Sequence, residues 1–287
     1  MDAVMRVVAA GATRVDGRNF LVRNIGGASG ALAVHHVLRQ MGDGCTVLAG
    51  NVNTAILTPL QLPHAGYATD DLVPVGMVGS TDYLAIAASS FPAGRLEDLP
   101  DLQVRLGRML TGGHPGTETL QHMALSLLAH QLKTEFLQVP YRGSALLITD
   151  LIGSHIDIAV VAAPSVVAAV ERGQIKILAN ITTWVASPEG GAHPPFEGWT
   201  GWFVARETSL VARDRLHATL LAALALPDVQ QKLSSLGSMV PTAAHQEKFV
   251  ETVKADVPRF RKRFHQAMNL RPVPSRQGLS HGPMRAK

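Results

Sequence analysis

Between Thr111 and Val161 the chain repeats one device twice: a polar, glycine-bearing loop opens a helix, and a strand follows. The first copy runs Thr111-Gly-Gly-His-Pro-Gly-Thr-Glu-Thr119, then an apolar helical run through Leu120, Met123, Leu127 and Leu128, then a predicted strand from Glu135 to Val139. The second is Pro140-Tyr-Arg-Gly-Ser144, a short helix carrying Leu147, Ile148, Leu151 and Ile152 that stops at Gly153, and a predicted strand from Ile156 to Val161. Helix N-termini present unbonded N–H groups and the positive end of the dipole, so each entrance can seat an anion. The candidate contacts here are Gly113, His114, Thr117, Gly143 and Ser144. His114 is either a cation placed at the ligand or an ordinary loop histidine. Asp150, one helix turn beyond Leu147, can accept a ligand hydroxyl, hold the Gly143-Ser144 loop, or simply be solvated.

The remaining chain supports an α/β protein. Residues Ala3 to Ala10 read as a helix that Gly11 can end, Phe20 to Arg23 as a strand, Asn24 to Gly30 as a loop and Ala31 to Met41 as a helix. A turn at Gly42-Asp-Gly44 precedes a strand from Cys45 to Ala49, which predicts a parallel βαβ unit. Gly50-Asn-Val-Asn-Thr54 then places Asn51, Asn53 and Thr54 at a strand's C-terminal end, either as ligand groups or as a capped turn. Strands follow at 73–78, 83–87 and 175–179. The stretch from Thr183 to Trp202 reads as a wrapped loop, Trp202 to Ala205 as a strand, and three helices follow, at 211–226, 227–236 and 242–268. The Pro-, Gly- and Arg-rich residues 271–287 read as a disordered tail.

At 287 residues and 46% apolar content there is ample core for two lobes, while the net charge of +4 fits an acidic small ligand and needs no more than ordinary surface charge. The single cysteine, Cys45, excludes an intrachain disulfide and a cysteine-rich metal site. There is no G-x-S-x-G elbow, no H-E-x-x-H and no complete nucleotide loop around Gly26, Gly27 and Gly30. An enzyme, a metal, a cofactor and a nucleic-acid partner are therefore not expected. No apolar run is long enough to span a bilayer, and Met1 begins directly in a predicted helix, which points to a cytoplasmic protein or to a sequence that begins late.

Asn24…Gly26-Gly27…Gly30, Gly42-Asp-Gly-Cys-Thr-Val-Leu48, Asp71-Leu-Val-Pro-Val75, the entrance at 112–119 and above all Val139-Pro-Tyr-Arg-Gly-Ser144…Thr149-Asp-Leu-Ile-Gly153 together resemble the Bug family. These are the TctC-like periplasmic solute-binding proteins of tripartite tricarboxylate transporters, and the resemblance runs from Met1 to about Leu270. It implies a type II periplasmic-binding-protein fold, two doubly wound α/β lobes with a hinge that close over a small carboxylate. One lobe would comprise 1–84 plus 205–270 and the other 85–204. The resemblance also implies a periplasmic monomer serving the membrane components of such a transporter. A cytoplasmic ligand sensor or a degenerate paralogue is the alternative.

Three departures from the family pattern stand out. The usual first strand and Pro-Pro-Gly-Gly loop do not precede the first helix, which would leave unpaired backbone in the sheet. The usual Gly-Asn-Gly-Ser becomes Gly113-His-Pro-Gly116, removing a donor and adding a possible cation. Ala162-Ala163 stands where Asp-Asn is common.

Overall fold

The computed structural model describes residues 1–40, 42–62, 64–184 and 198–268, with side chains through 262; the expected tail at 271–287 and most of the expected wrapped loop lie outside the described residues. Helix α1 (Asp2–Asp16) buries Val4, Met5, Val8 and Ala12 on one stripe and ends at Gly17, whose φ of 77° suits glycine. The expected stop at Gly11 is a packing position instead. A Cβ there would lie 2.9 Å from a Val229 methyl, so the glycine lets helices approach.

Residues 20–25 take no regular secondary structure and belong to no ladder among the described residues, so the predicted strand at Phe20 is not formed there. Helix α2 (Ala31–Leu38) leads to β1 (Leu48–Asn51), which starts three residues later than the sequence suggests. It pairs antiparallel with β8 (Gly198–Ala205), and no parallel βαβ unit exists there. A turn of π-helix at Asn53–Leu57 runs into α3 (Thr58–Gln61). Strands β2 (Leu72–Thr81) and β9 (Ser238–Met239) complete an all-antiparallel first sheet, in the order β1-β8-β2-β9. The expected strand at 202–205 is the end of β8, which begins four residues earlier, so Trp199, expected in the loop, is buried in the strand with Trp202.

The chain crosses to the second sheet at Asp82, going directly from β2 into β3 (Tyr83–Ala88). That sheet has the order β5-β4-β6-β3-β7, from β4 (Leu110–His114), β5 (Phe136–Pro140), β6 (Ile158–Ala162) and β7 (Ile175–Asn180). It is parallel at β4–β5 and β4–β6 and antiparallel around β3. The crossing is pinned by side chains: Asn180 Nδ2 donates to Asp82 Oδ2 at 2.8 Å and Tyr83 N–H to Thr182 Oγ1 at 3.0 Å. Because β8 is bonded along its length to β1 and β2, residues 198–204 lie in the first sheet and not with the second.

Helices α4 (Leu99–Leu106), α5 (Leu120–Gln131), α6 (Ser144–Ile152), α7 (Val167–Glu171) and α8 (Ile181–Trp184) serve the second sheet. Helices α9 (Leu210–Leu224), α10 (Pro227–Ser235) and α11 (Ala243–Met268) serve the first, and α11 also packs on α5. α1, α9 and α10 cover one face of the first sheet over Val75, Val78, Trp202 and Val204. A second core over Ile86, Ala159 and Val161 lies under α6. A third runs through both sheets, from Leu48 and Phe203 to Leu110 and Ile158, so the two halves share one apolar spine.

Candidate functional site

The two expected helix entrances are both present, and they are not equivalent. At the first, β4 delivers the loop 115–119 to α5. Thr119 is the N-cap, its hydroxyl accepting from His122 N–H at 3.3 Å. The next amide is taken by the first sheet's side of the molecule: Leu120 N–H donates to Asn53 Oδ1 at 2.9 Å, and Asn53 Nδ2 donates to Gln121 Oε1 at 3.1 Å. Asn53 and Gln121 are both buried. The α5 entrance is thus sealed by an amide from the facing element, and Asn53 has little capacity left for a ligand. Asn51 and Thr54 are likewise turned on one another. Thr54 Oγ1 accepts from Asn51 N–H at 2.9 Å and Asn51 Oδ1 from Thr54 N–H at 3.1 Å, which is the capped turn the sequence allowed.

His114 is not a cation held out to a ligand. It is 1% exposed, and its Nδ1 lies 2.7 Å from Gly116 O, a carbonyl that can only accept, so the proton sits on Nδ1. Its ring stacks on His122 at 4.5 Å. His122 Nδ1 accepts from Glu118 N–H at 3.0 Å, so that nitrogen is bare. Burial first, and the neighbouring His122 second, push the His114 pKa down to about 4, while burial lowers His122 as well. Glu118, at the turn, has φ 62°, a left-handed conformation held by this packing.

This pair makes the fold acid-sensitive. His114 titrates lower in the folded than in the unfolded chain, so the unfolded state takes up the proton first. Stability is full above about pH 6.5 and falls as the pH drops toward 4, by about 3 kcal/mol at most. Urea midpoints measured from pH 7 to 4.5 should show the decline. His114→Asn, which keeps a donor for Gly116 O but cannot titrate, should flatten it, and an unchanged slope would remove His114 as the cause.

At the second entrance the loop 141–143 lies along the first. Tyr141 N–H donates to His114 O at 2.9 Å and Gly143 N–H to Pro115 O at 3.2 Å. Gly143 has φ 107° and its N-cap position carries no side-chain cap. The N–H groups of Ser144, Ala145 and Leu146 take no hydrogen bond in the described structure, so the α6 entrance is open. Asp150 accepts from Tyr141 Oη at 2.7 Å, which ties the loop to the helix, the second of the roles the sequence left to it. Burial, then the bond to Asp150, push the Tyr141 hydroxyl up to about 12.

Of the candidates, Asn53 meets the α5 entrance, Asn51 and Thr54 bond each other, and Gly143 lies along the loop that follows His114. Gly113 is buried in β4, where a Cβ would lie 2.6 Å from Ile156, so its lack of a side chain serves the packing there. Thr117 is exposed, and its carbonyl accepts from Ser29 Oγ at 3.1 Å. Ser29, in the stretch that reads as a loop from the sequence, is a bridge between the loop before α2 and the loop before α5. Its φ of 52° marks the same kind of held turn as Glu118. Sequence reading also missed His122 and Gln121, whose signal was their position in the first turn of α5. Among the described residues no three His, Cys, Asp or Glu side chains are grouped to hold a metal, and no helix is long and apolar enough to cross a membrane.

Comparison with known proteins bears on the fold and the family. MatC (Rpa3494) from Rhodopseudomonas palustris with bound malate superposes with a TM-score of 0.80 at 24% identity, over 91% of this chain and 93% of that one. R. palustris Rpa4515 with adipate gives 0.83 at 23%, over 93% and 92%. The periplasmic binding protein BugD gives 0.81 at 24%, over 93% of each chain. These likenesses place the fold among two-lobed periplasmic binding proteins. A UPF0065 protein encoded in the TAR-I ttuE-ttuC' intergenic region of Agrobacterium vitis is 26% identical over 281 residues, 93% of this chain and 80% of that protein. The model of the tripartite tricarboxylate transporter family receptor, TctC, matches residues 4–259. The chain thus belongs to the TctC receptor family, a family of solute-binding proteins and not of enzymes, as the resemblance in its 139–153 segment implied.

Proposed function

We propose that the protein captures a small carboxylate at the N-terminus of α6 and presents it to the membrane components of a tripartite tricarboxylate transporter, in the periplasm. The observation that carries this is the contrast between the entrances. α5 is closed by Asn53 and Thr119, whereas α6 offers three free N–H groups and an uncapped dipole end. One carboxylate is the complement of one such seat. The malate and adipate in the titles of the two R. palustris neighbours are acids of this class. The lobes that close over it would be residues 1–81 with 198–268, and 83–184, hinged at Asp82.

Thermal-shift titration of the purified chain with a panel of mono- and dicarboxylates tests the reading. A ligand present at a hundred times its Kd should stabilise the fold by about 2.7 kcal/mol. That corresponds to a rise in Tm of roughly 5–10 °C for a protein of this size. A panel in which no acid stabilises the chain would refute carboxylate capture by it.

A further inference from the structure

The loop that leads into α6 carries a charge that the fold does not use. Its backbone is pinned on either side of Arg142. Tyr141 N–H donates to His114 O at 2.9 Å and Gly143 N–H to Pro115 O at 3.2 Å, while Tyr141 Oη donates to Asp150 Oδ2 at 2.7 Å. Arg142 itself is exposed and makes no hydrogen bond or ion pair with any described residue. Arg108, by contrast, is neutralised by Asp157 through two bonds of 2.7 Å. Asp150, the one acid of α6, is engaged by Tyr141 Oη and lies 3.6 Å from His155 Nδ1, so it leaves Arg142 unpaired.

The clamps fix where this charge stands. Gly143, at φ 107°, turns the chain after it, and Ser144 is the first residue of α6. Two residues span at most about 7 Å, so the Arg142 backbone stays close to the free N–H groups of that entrance. An approaching anion therefore meets the arginine's charge together with the positive end of the helix dipole. Because the side chain is solvated, packing it onto a ligand would cost its hydration, whereas its field acts through water without that cost. Taking the α6 entrance as the seat, we infer that Arg142 is a steering residue for that site, a cation that draws carboxylates to the entrance and sets the rate of capture without holding the bound acid. A charge about 8 Å from the anion in water changes the encounter rate by about two- to threefold for each unit of ligand charge.

Stopped-flow tryptophan fluorescence in about 10 mM salt, where the Debye length is about 30 Å, tests this with lactate as a monoanion and malate and adipate as dianions. Arg142→Gln should slow association about two- to threefold for lactate and by about the square of that, roughly sixfold, for the dianions, with dissociation within about twofold of the parent. The difference should vanish near 1 M salt, where the Debye length is about 3 Å. Arg142→Lys, which keeps the charge but not the guanidinium fork, should associate at the parent rate. Both variants should melt with the parent, since the side chain they change is exposed. Unchanged association in Arg142→Gln at low salt, a loss carried by faster dissociation, or a loss that Arg142→Lys does not restore would each overturn the assignment while leaving carboxylate capture standing. Binding of none of the three acids would overturn it as well, and the wider thermal-shift panel then decides capture on its own.

Discussion

Replacing Asn53 with leucine is expected to destabilise the protein by about 3 kcal/mol, because it strands two buried polar groups that now satisfy each other through one amide. Leucine matches the amide in bulk, so little cavity is made and the loss is of hydrogen bonding. Leu120 N–H loses its acceptor at 2.9 Å, and the buried Gln121 loses its donor at 3.1 Å. Asn53→Asp separates this account from a generic core effect. Aspartate keeps the acceptor for Leu120 N–H and sits at the positive end of α5, and Gln121 can turn its NH2 group toward the new carboxylate. Urea denaturation should therefore find the aspartate variant within about 1 kcal/mol of the parent and the leucine variant far below it. Equal losses would mean that the contact contributes through shape alone.

That contact also shows where sequence reading reached its limit. The doubled loop-helix-strand device was legible because its signals are local: glycines before each helix, an apolar period within it, and Gly153 after it. Which entrance stays open was not legible. The group that seals α5 comes from Asn53, 67 residues earlier, and a side chain's partner at that distance leaves no periodic trace. The failed strand at Phe20 has a related cause. Phe20 and Val22 do alternate inward, which is what a strand pattern encodes, but pairing needs a neighbour in the plane and none is bonded there. Gly11 was read as a stop because a glycine that ends a helix and one that admits Val229 look alike in one dimension. The burial of His114 was not legible because the ring that covers it, His122, lies on the following helix. The two tryptophans of β8 stand in and at the end of a stretch that its glycine-rich company marks as a loop, Trp202 also opening the expected strand to Ala205. They are placed by Phe20 stacked on Trp202 at 5.7 Å and by Asp256 accepting from Trp199 Nε1 at 2.8 Å.

Ser144→Asp should raise stability slightly and lower carboxylate affinity by at least about a hundredfold, two effects of opposite sign from one charge. Ser144 is the first residue of α6, where an acidic side chain is favoured by the helix dipole and gains a few tenths of a kcal/mol. The same carboxylate would lie among the free N–H groups of Ser144, Ala145 and Leu146, where the ligand's anion is proposed to sit. Two like charges about 4 Å apart at a partly screened surface repel by about 4 kcal/mol, and relaxation still leaves more than the 2.7 kcal/mol that a hundredfold loss requires. Ser144→Ala removes only a hydroxyl and leaves the backbone donors in place, so its affinity should stay within about tenfold of the parent. Calorimetric titration with a carboxylate that the thermal screen identifies, run beside urea melts of each variant, reads both signs. Because the aspartate variant is expected to be at least as stable as the parent, lost binding cannot be blamed on unfolding. Undiminished binding in that variant would move the seat away from α6, leaving the sealed α5 entrance or the loop before α2 to hold the anion.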